Sequence, residues 1–164
     1  MEAAAAFIRM MKNPFWAAWF MLAKLPSAFF SGVRVRELSE DMCKVTVPYK
    51  WFSKNPFRST YFACLSMAAE MSTGALAMAH LYKMQPPVSM LVLKMEARYL
   101  TKATGVTVFS CYNGRELKQA IIAATVTGEP HTFTAVSEGV NEAGEKVAVF
   151  LITWSFKARK SVTS

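Results

Sequence analysis

The sequence predicts an α+β domain in which about six antiparallel strands wrap one long central helix. Three observations lead there. Between Arg58 and Lys83 the chain is apolar and helix-forming, with Glu70 its one obligate charge at neutral pH. Apolar residues occur on every side of that stretch, and a helix apolar nearly all round has to be covered. Outside it the pattern changes to alternation, the mark of half-buried strands, twice before the helix and four times after it.

Each element has its own signal. Residues 2–11 are alanine-rich and helix-prone, and Asn13 with Pro14 opens a second helix, FWAAWFMLAK, that Pro26 ends. This amino-terminal segment reads either as helices packed on the domain's own surface, or as a lid over an acyl pocket or a membrane-interface anchor, which its Trp and Phe content favours. Arg9, Lys12 and Lys24 interrupt it, leaving no uncharged stretch near the roughly 18 residues a spanning helix needs. Glu2 and the absence of a small-residue cleavage site argue against a secretory signal. Residues 1–31 are therefore read as a helical extension and 32–164 as a single domain.

Residues 32–38 alternate as a half-buried strand, Ser39, Glu40 and Asp41 supply a turn, and residues 43–47 return as the hairpin partner. Residues 48–57 are loop, broken at Asn55-Pro56, and Ser59 or Thr60 is placed to cap the long helix. Pro86 and Pro87 end the connection that follows. Residues 90–100 set Leu91, Leu93, Met95, Ala97 and Tyr99 against Lys94, Glu96 and Arg98, an antiparallel strand with one wet face. A strand over 106–112 follows Gly105, and 116–127 carries Leu117, Ala120, Ile121 and Ala124 at helical spacing with Gly128 as its C-terminal cap. Residues 132–140 and 146–156 flank Asn141, Glu142, Ala143 and Gly144 as a long hairpin.

A chain of 164 residues makes one domain that needs no disulfide or metal staples. Its apolar fraction of 53% exceeds the ordinary range of roughly 45–50%, so apolar surface is spare for a ligand cavity, a subunit interface or a membrane. Cys43, Cys64 and Cys111 lack any CxxC spacing, which suggests neither a zinc site nor a disulfide framework. They read as small buried hydrophobes in a reducing, cytoplasmic compartment. A net charge of +8 suits an anionic membrane or a polyphosphate-bearing ligand. It does not indicate nucleic acid, because the basic residues are spread along the chain and no DNA- or RNA-binding motif accompanies them. Lys157, Arg159 and Lys160 form a C-terminal cluster that is either a solvated tail or a phosphate site.

Glu70 is the residue that needs a reason. A buried carboxylate costs several kcal/mol unless it raises its pKa or finds a partner. On a helix it shares its stripe with Ala63, Ser66, Met67, Thr73, Gly74 and Ala77, a face of small side chains that a strand, helix or ligand can approach closely. A helix with one exposed Glu, or a structural ion pair with one of the many Lys and Arg residues, explains it as well as a catalytic role does. His80, near the end of the same helix, suits free carbonyls there; His131 reads as surface, and Cys64 has no neighbouring His to activate it.

Two segments carry a family resemblance. Asn55-Pro56-Phe57-Arg58-Ser59-Thr60-Tyr61-Phe62-Ala63, followed by Ala68-Ala69-Glu70-Met71-Ser72-Thr73-Gly74, resembles the loop and central helix of hotdog-fold thioesterases, with the phenylacetyl-CoA thioesterase-like branch most similar. In that motif an Asn precedes the helix, an acidic residue follows fifteen positions on and a Gly four beyond that, as Asn55, Glu70 and Gly74 do here. Arg98-Tyr99-Leu100-Thr101-Lys102-Ala103 and the terminal Thr153-Trp154 extend the likeness, which spans about residues 32–157.

The resemblance implies a homodimer with its sheets side by side, open to further pairing into tetramers, with acyl chains along the central helix and active sites shared between subunits. It implies hydrolysis of an acyl thioester of coenzyme A or an acyl carrier protein, with no cofactor and no metal. Glu70 would serve as general base or nucleophile, the N–H groups of Tyr61 and Phe62 would hold the oxyanion, and Asn55 would position water or carbonyl. Arg98, Lys102 and Lys157 would face the phosphates of coenzyme A. The chain departs from the family where Arg58 replaces a usual Gly and Tyr61-Phe62-Ala63 a usual His-Gly-Gly, positions at which glycine lets substrate approach the backbone. Beside the hydrolase stands a second expectation, a non-catalytic acyl- or lipid-binding module in which Glu70 pairs inside the dimer. Peripheral membrane contact through the amino-terminal helices is compatible with either.

Overall fold

Capping side chains and backbone-permissive residues set the boundaries of the elements. Asn13 accepts hydrogen bonds from the N–H groups of Phe15 (3.0 Å) and Trp16 (3.3 Å), dividing α1 (Glu2–Lys12) from α2 (Pro14–Lys24). Pro26 does end α2, but it also opens a further short helix, α3 (Pro26–Phe30), because proline suits a first helical turn as well as it stops a preceding one. The computed structural model describes residues 2–159; Lys160 of the C-terminal basic cluster lies outside them. The hairpin β1 (Arg34–Leu38) and β2 (Cys43–Val47) forms as expected, and a short 3-10 turn over Trp51–Ser53 then interrupts the loop.

The central helix α4 (Phe62–Leu81) starts later than the sequence suggests and has no side-chain cap. Ser59 is occupied with Asn55, and the N–H of Thr60 donates to Ala103 O (2.7 Å), so both expected caps are held in the preceding loop. Five further elements follow: β3 (Val88–Tyr99), β4 (Thr107–Cys111), α5 (Gly114–Thr127), β5 (His131–Val140) and β6 (Lys146–Ala158). Gly128 closes α5 in the left-handed region, φ +73°, as its C-terminal position requires.

The six strands form one antiparallel sheet in the order β1-β2-β4-β5-β6-β3. The sheet packs on α4, whose Ala68, Ala69, Leu76, Ala77 and Ala79 are wholly buried, and small side chains there let the strands approach the helix closely. Among the described residues α4 is the one helix long and apolar enough to cross a bilayer, yet 67% of that stretch is buried in this core. α5 packs beside α4 and β5, and α1 lies across α4 with Phe7 and Met11 buried.

Cys43 and Cys111, far apart in sequence, stand directly opposite each other on β2 and β4. Both are free thiols, and burial pushes them up, Cys111 to about 11, so neither forms a thiolate near neutral pH. β3 departs from expectation in its exposure. It is one of the sheet's two edge strands, and from Leu93 onward both faces are open to solvent, not one, because no element among the described residues covers it there. Leu91 is 64% exposed and Leu93 56%.

Candidate active site

Glu70 projects from the middle of α4 into a cleft of about 450 Å³, almost wholly apolar in lining. Phe7 and Met11 of α1, Phe20 and Lys24 of α2, Met90 of β3 and Trp154 of β6 form its walls. The amino-terminal helices thus cover the face of α4 that carries the carboxyl group. No Lys, Arg or His nitrogen among the described residues lies within 4.0 Å of that group, so the structural ion pair expected as one explanation is not formed among them. Burial pushes the Glu70 carboxyl above its ordinary range.

Its immediate surroundings are small and fixed. A Cβ added at Gly74 would come within 3.2 Å of Glu70 Oε1 and 3.3 Å of the Trp154 ring. The indole N–H of Trp154 donates to Thr73 Oγ1 (3.0 Å), and Thr73 in turn donates to Glu70 O (3.0 Å), which ties the ring to the same helical turn. Glycine at position 74 therefore keeps the carboxyl against the ring. Gly74→Ala gains about 1 kcal/mol of helix propensity but crowds the carboxyl, so the expected result is a melting temperature within a few degrees of wild type and a roughly tenfold loss of any Glu70-dependent turnover.

The start of α4 opens on a second, larger cleft of about 770 Å³, lined by Asn55, Phe57, Tyr61, Phe62, Tyr99 and Lys102 among others. Tyr61 is not a core aromatic: it is 45% exposed and meets Phe62 edge to face, with ring centroids 4.9 Å apart. The N–H of Tyr61 donates to Ser53 O at 2.7 Å and so is spent on the loop, which corrects its expected part in an oxyanion site. Phe62, first residue of the helix, keeps an N–H of the kind that has no intrahelical acceptor. Asn55 also departs from expectation. Its Oδ1 accepts from the N–H groups of Phe57 (2.9 Å) and Ser59 (3.2 Å) and its Nδ2 donates to Ser59 Oγ (3.1 Å), so it shapes the loop and leaves little to offer a substrate.

That loop gives Arg58 a φ of +58°, the left-handed conformation that glycine adopts without strain. The wall also holds Thr60, whose buried hydroxyl has no hydrogen-bond partner. Phe62 and Glu70 are eight positions apart, about 12 Å along the helix, and within one chain the two open on different clefts.

The expected phosphate-binding residues do not converge within one chain either. Arg98 and Lys102 lie at the end of β3 and just beyond it, whereas Lys157 pairs opposite Ser89 at the strand's beginning. His80 is structural: its Nε2–H donates to Glu40 O (2.9 Å) and burial lowers its pKa. Among the described residues no cluster of His, Cys, Asp and Glu could hold a metal ion. The amino-terminal helices, for which a lid over a pocket is one of the expected readings, form a wall of the Glu70 cleft. The four-residue spacing of Phe7 and Met11 puts both on one face of α1.

Comparison with known proteins gives the fold a wider setting. A protein of unknown function from Pseudomonas aeruginosa superposes with a TM-score of 0.76 at 20% identity, covering 89% of this chain and 97% of that one. The E. coli PaaI protein, from the phenylacetic acid degradation operon, gives 0.63 at 12% identity, covering 94% and 96%. A thioesterase from Haemophilus influenzae gives 0.60 at 12% identity, covering 89% and 92%. The shared architecture is the hotdog fold. No curated protein matches the sequence. The family model described as a domain of unknown function, DUF4442, matches residues 17–155, taking in most of α2 and every strand except the last three residues of β6, and the chain belongs to that family.

Proposed function

We propose that the protein is an acyl thioester hydrolase that works as a homodimer, with Glu70 as the general base. The observation that carries this reading is a half-buried carboxyl group, without an ion-pair partner among the described residues, at the wall of an apolar cleft, where desolvation favours its taking up a proton. Glu70 takes a proton from a water molecule, whose oxygen attacks the thioester carbonyl. The resulting oxyanion is held by the Phe62 N–H at the helix start, and the carbon–sulfur bond then breaks as the thiolate leaves and recovers a proton.

The dimer completes the site. β3 is a long edge strand with unpaired backbone groups and exposed Leu91, Leu93 and Met95, each with a part of the roughly 1.5–3 kcal/mol of full burial still to gain. Antiparallel pairing of two copies about the middle of β3 brings Tyr99, on the Phe62 cleft, beside the Met90 end of the other copy, on the Glu70 cleft. The same pairing sets Arg98 and Lys102 near the partner's Lys157, a cationic rim fit for the phosphates of coenzyme A or the phosphopantetheine of an acyl carrier. A non-catalytic acyl-binding module is the second reading, favoured by the Tyr61 N–H already in use and the side chains where the family has glycine.

Hydrolysis of acyl-CoA thioesters from acetyl to long-chain and aromatic separates the two readings: turnover of any member supports the hydrolase, and inertness across the panel by folded protein supports the module. The pH dependence adds a second check. A general base works ionised, so kcat/KM rises with pH through an acid limb lying above the ordinary carboxylate range. The effect on stability has the opposite sign. Between the unfolded and folded pKa values of Glu70 the native state holds the extra proton, so stability is greatest below the unfolded value and falls as pH rises through the folded one.

A further inference from the structure

We propose that α2 docks the protein on an anionic phospholipid bilayer, with Trp16 and Trp19 seated at the headgroup level. This inference does not rest on the catalytic reading. α2 reads Pro14-Phe15-Trp16-Ala17-Ala18-Trp19-Phe20-Met21-Leu22-Ala23 before its first polar residue, Lys24, so it has no hydrophilic face to turn outward. One side buries Met21 against the domain; the other presents Phe15 (70% exposed), Trp16, Trp19 (60%) and Leu22, which recur at helical spacing as one stripe. Beside it α3 exposes Phe30, whose ring lies 6.0 Å from Phe52, and Phe52 meets the exposed Trp51 edge to face at 4.8 Å. Soluble surfaces rarely leave so many large apolar side chains together.

The charge around these residues names the occupant. From Ala3 to Arg36 the chain has no Asp or Glu but carries Arg9, Lys12, Lys24, Arg34 and Arg36. From Met42 to Ala69 it again has none and carries Lys44, Lys50, Lys54 and Arg58. Both stretches that build the patch are therefore purely basic. A two-fold contact with a second copy would set this basic patch against an identical basic patch. An anionic leaflet complements the patch, at a favourable contribution per lysine, while tryptophan rings prefer the boundary between headgroups and hydrocarbon. The inner side of the same helix carries Phe20 and Lys24, which wall the Glu70 cleft, so the docked helix is at once membrane contact and cleft wall.

The test is sedimentation of the full chain with vesicles of phosphatidylglycerol and phosphatidylcholine, against phosphatidylcholine alone, with tryptophan emission recorded in parallel. The expected result is binding to the anionic vesicles with a blue shift, weakened by salt, and a loss of at least about tenfold in Trp16→Ser/Trp19→Ser at unchanged circular dichroism. Should that variant misfold, Lys12→Glu/Lys50→Glu keeps the aromatic stripe and is expected to lose the preference for anionic vesicles. Absence of binding at low salt overturns the proposal, as does equal binding to neutral vesicles. A change of oligomeric state in the tryptophan variant does so too, since it would identify a second copy as the occupant.

Discussion

Glu70→Gln is expected to lower kcat/KM by at least about 100-fold, the scale of a lost general base, while leaving the protein folded and, at neutral pH, more stable than wild type. The two effects have one cause. Glutamine keeps the length and shape that fill the space over Gly74 beside Trp154, so packing is retained. It cannot ionise, so it neither accepts the proton from water nor carries the desolvation penalty that raises the Glu70 pKa. Each pKa unit of such a shift corresponds to about 1.4 kcal/mol. The difference in stability is therefore expected to close below the ordinary carboxylate pKa, where wild type is neutral in both states, and to open as pH rises through the folded value. Thermal melts at pH 4 and pH 8 read the stability, and turnover on the best substrate of the thioester panel reads the chemistry. A variant that retains activity within a few-fold of wild type removes Glu70 from the reaction. A variant less stable than wild type at pH 8 means instead that the carboxylate has a partner, which is the signature of a structural pair inside the dimer.

Much of this architecture could be read from local patterns, because local chemistry decides it. The apolar run around Glu70 identified α4, period-two alternation identified the β5–β6 hairpin, and Gly128 marked the end of α5 through a backbone conformation glycine adopts freely. What escaped was decided by distant partners. Ser59 and Thr60 have the chemistry of helix caps but are held by Asn55 and Ala103. Tyr61 is two residues past Ser59, yet its N–H is claimed by Ser53 across a loop that no periodicity describes. The alternation of Leu91, Leu93 and Met95 predicts one apolar face, but a bulge between Val92 and Lys94 sets Leu91 opposite Ser155 and Met95 opposite buried Ile152, on the two faces of the sheet, and among the described residues nothing covers these side chains. In the candidate site, Glu70 was legible as a charge out of place and the amino-terminal helices as a lid in one of their readings, whereas which side chains meet the carboxyl, Phe7, Met11 and Phe20 from fifty or more residues earlier, was not.

Mixing two inactive variants is expected to restore activity if Phe62 and Glu70 act across the dimer. Phe62→Pro supplies the second defect with little distortion. Position 62 is the first residue of α4, where proline is tolerated, and Tyr61 before it is already extended at φ −62° and ψ 134°, the conformation proline demands of its neighbour. The substitution removes the N–H proposed for the oxyanion, and a loss of about 10²–10³ in kcat is the scale for one such donor. Phe62→Ala keeps the N–H and serves as the control, with activity expected near wild type. In a mixed dimer of Glu70→Gln and Phe62→Pro chains, one site joins the intact Phe62 of the first to the intact Glu70 of the second, and the other site collects both defects. Random exchange makes half the dimers mixed, so about a quarter of wild-type activity is expected to return. If subunit exchange is verified by mass and nothing returns, each site lies within one chain, and the 12 Å between Phe62 and Glu70 along α4 must then be bridged by the substrate itself. Recovery would give the bare edge of β3 its function: it joins two half-sites, one with the donor and one with the base.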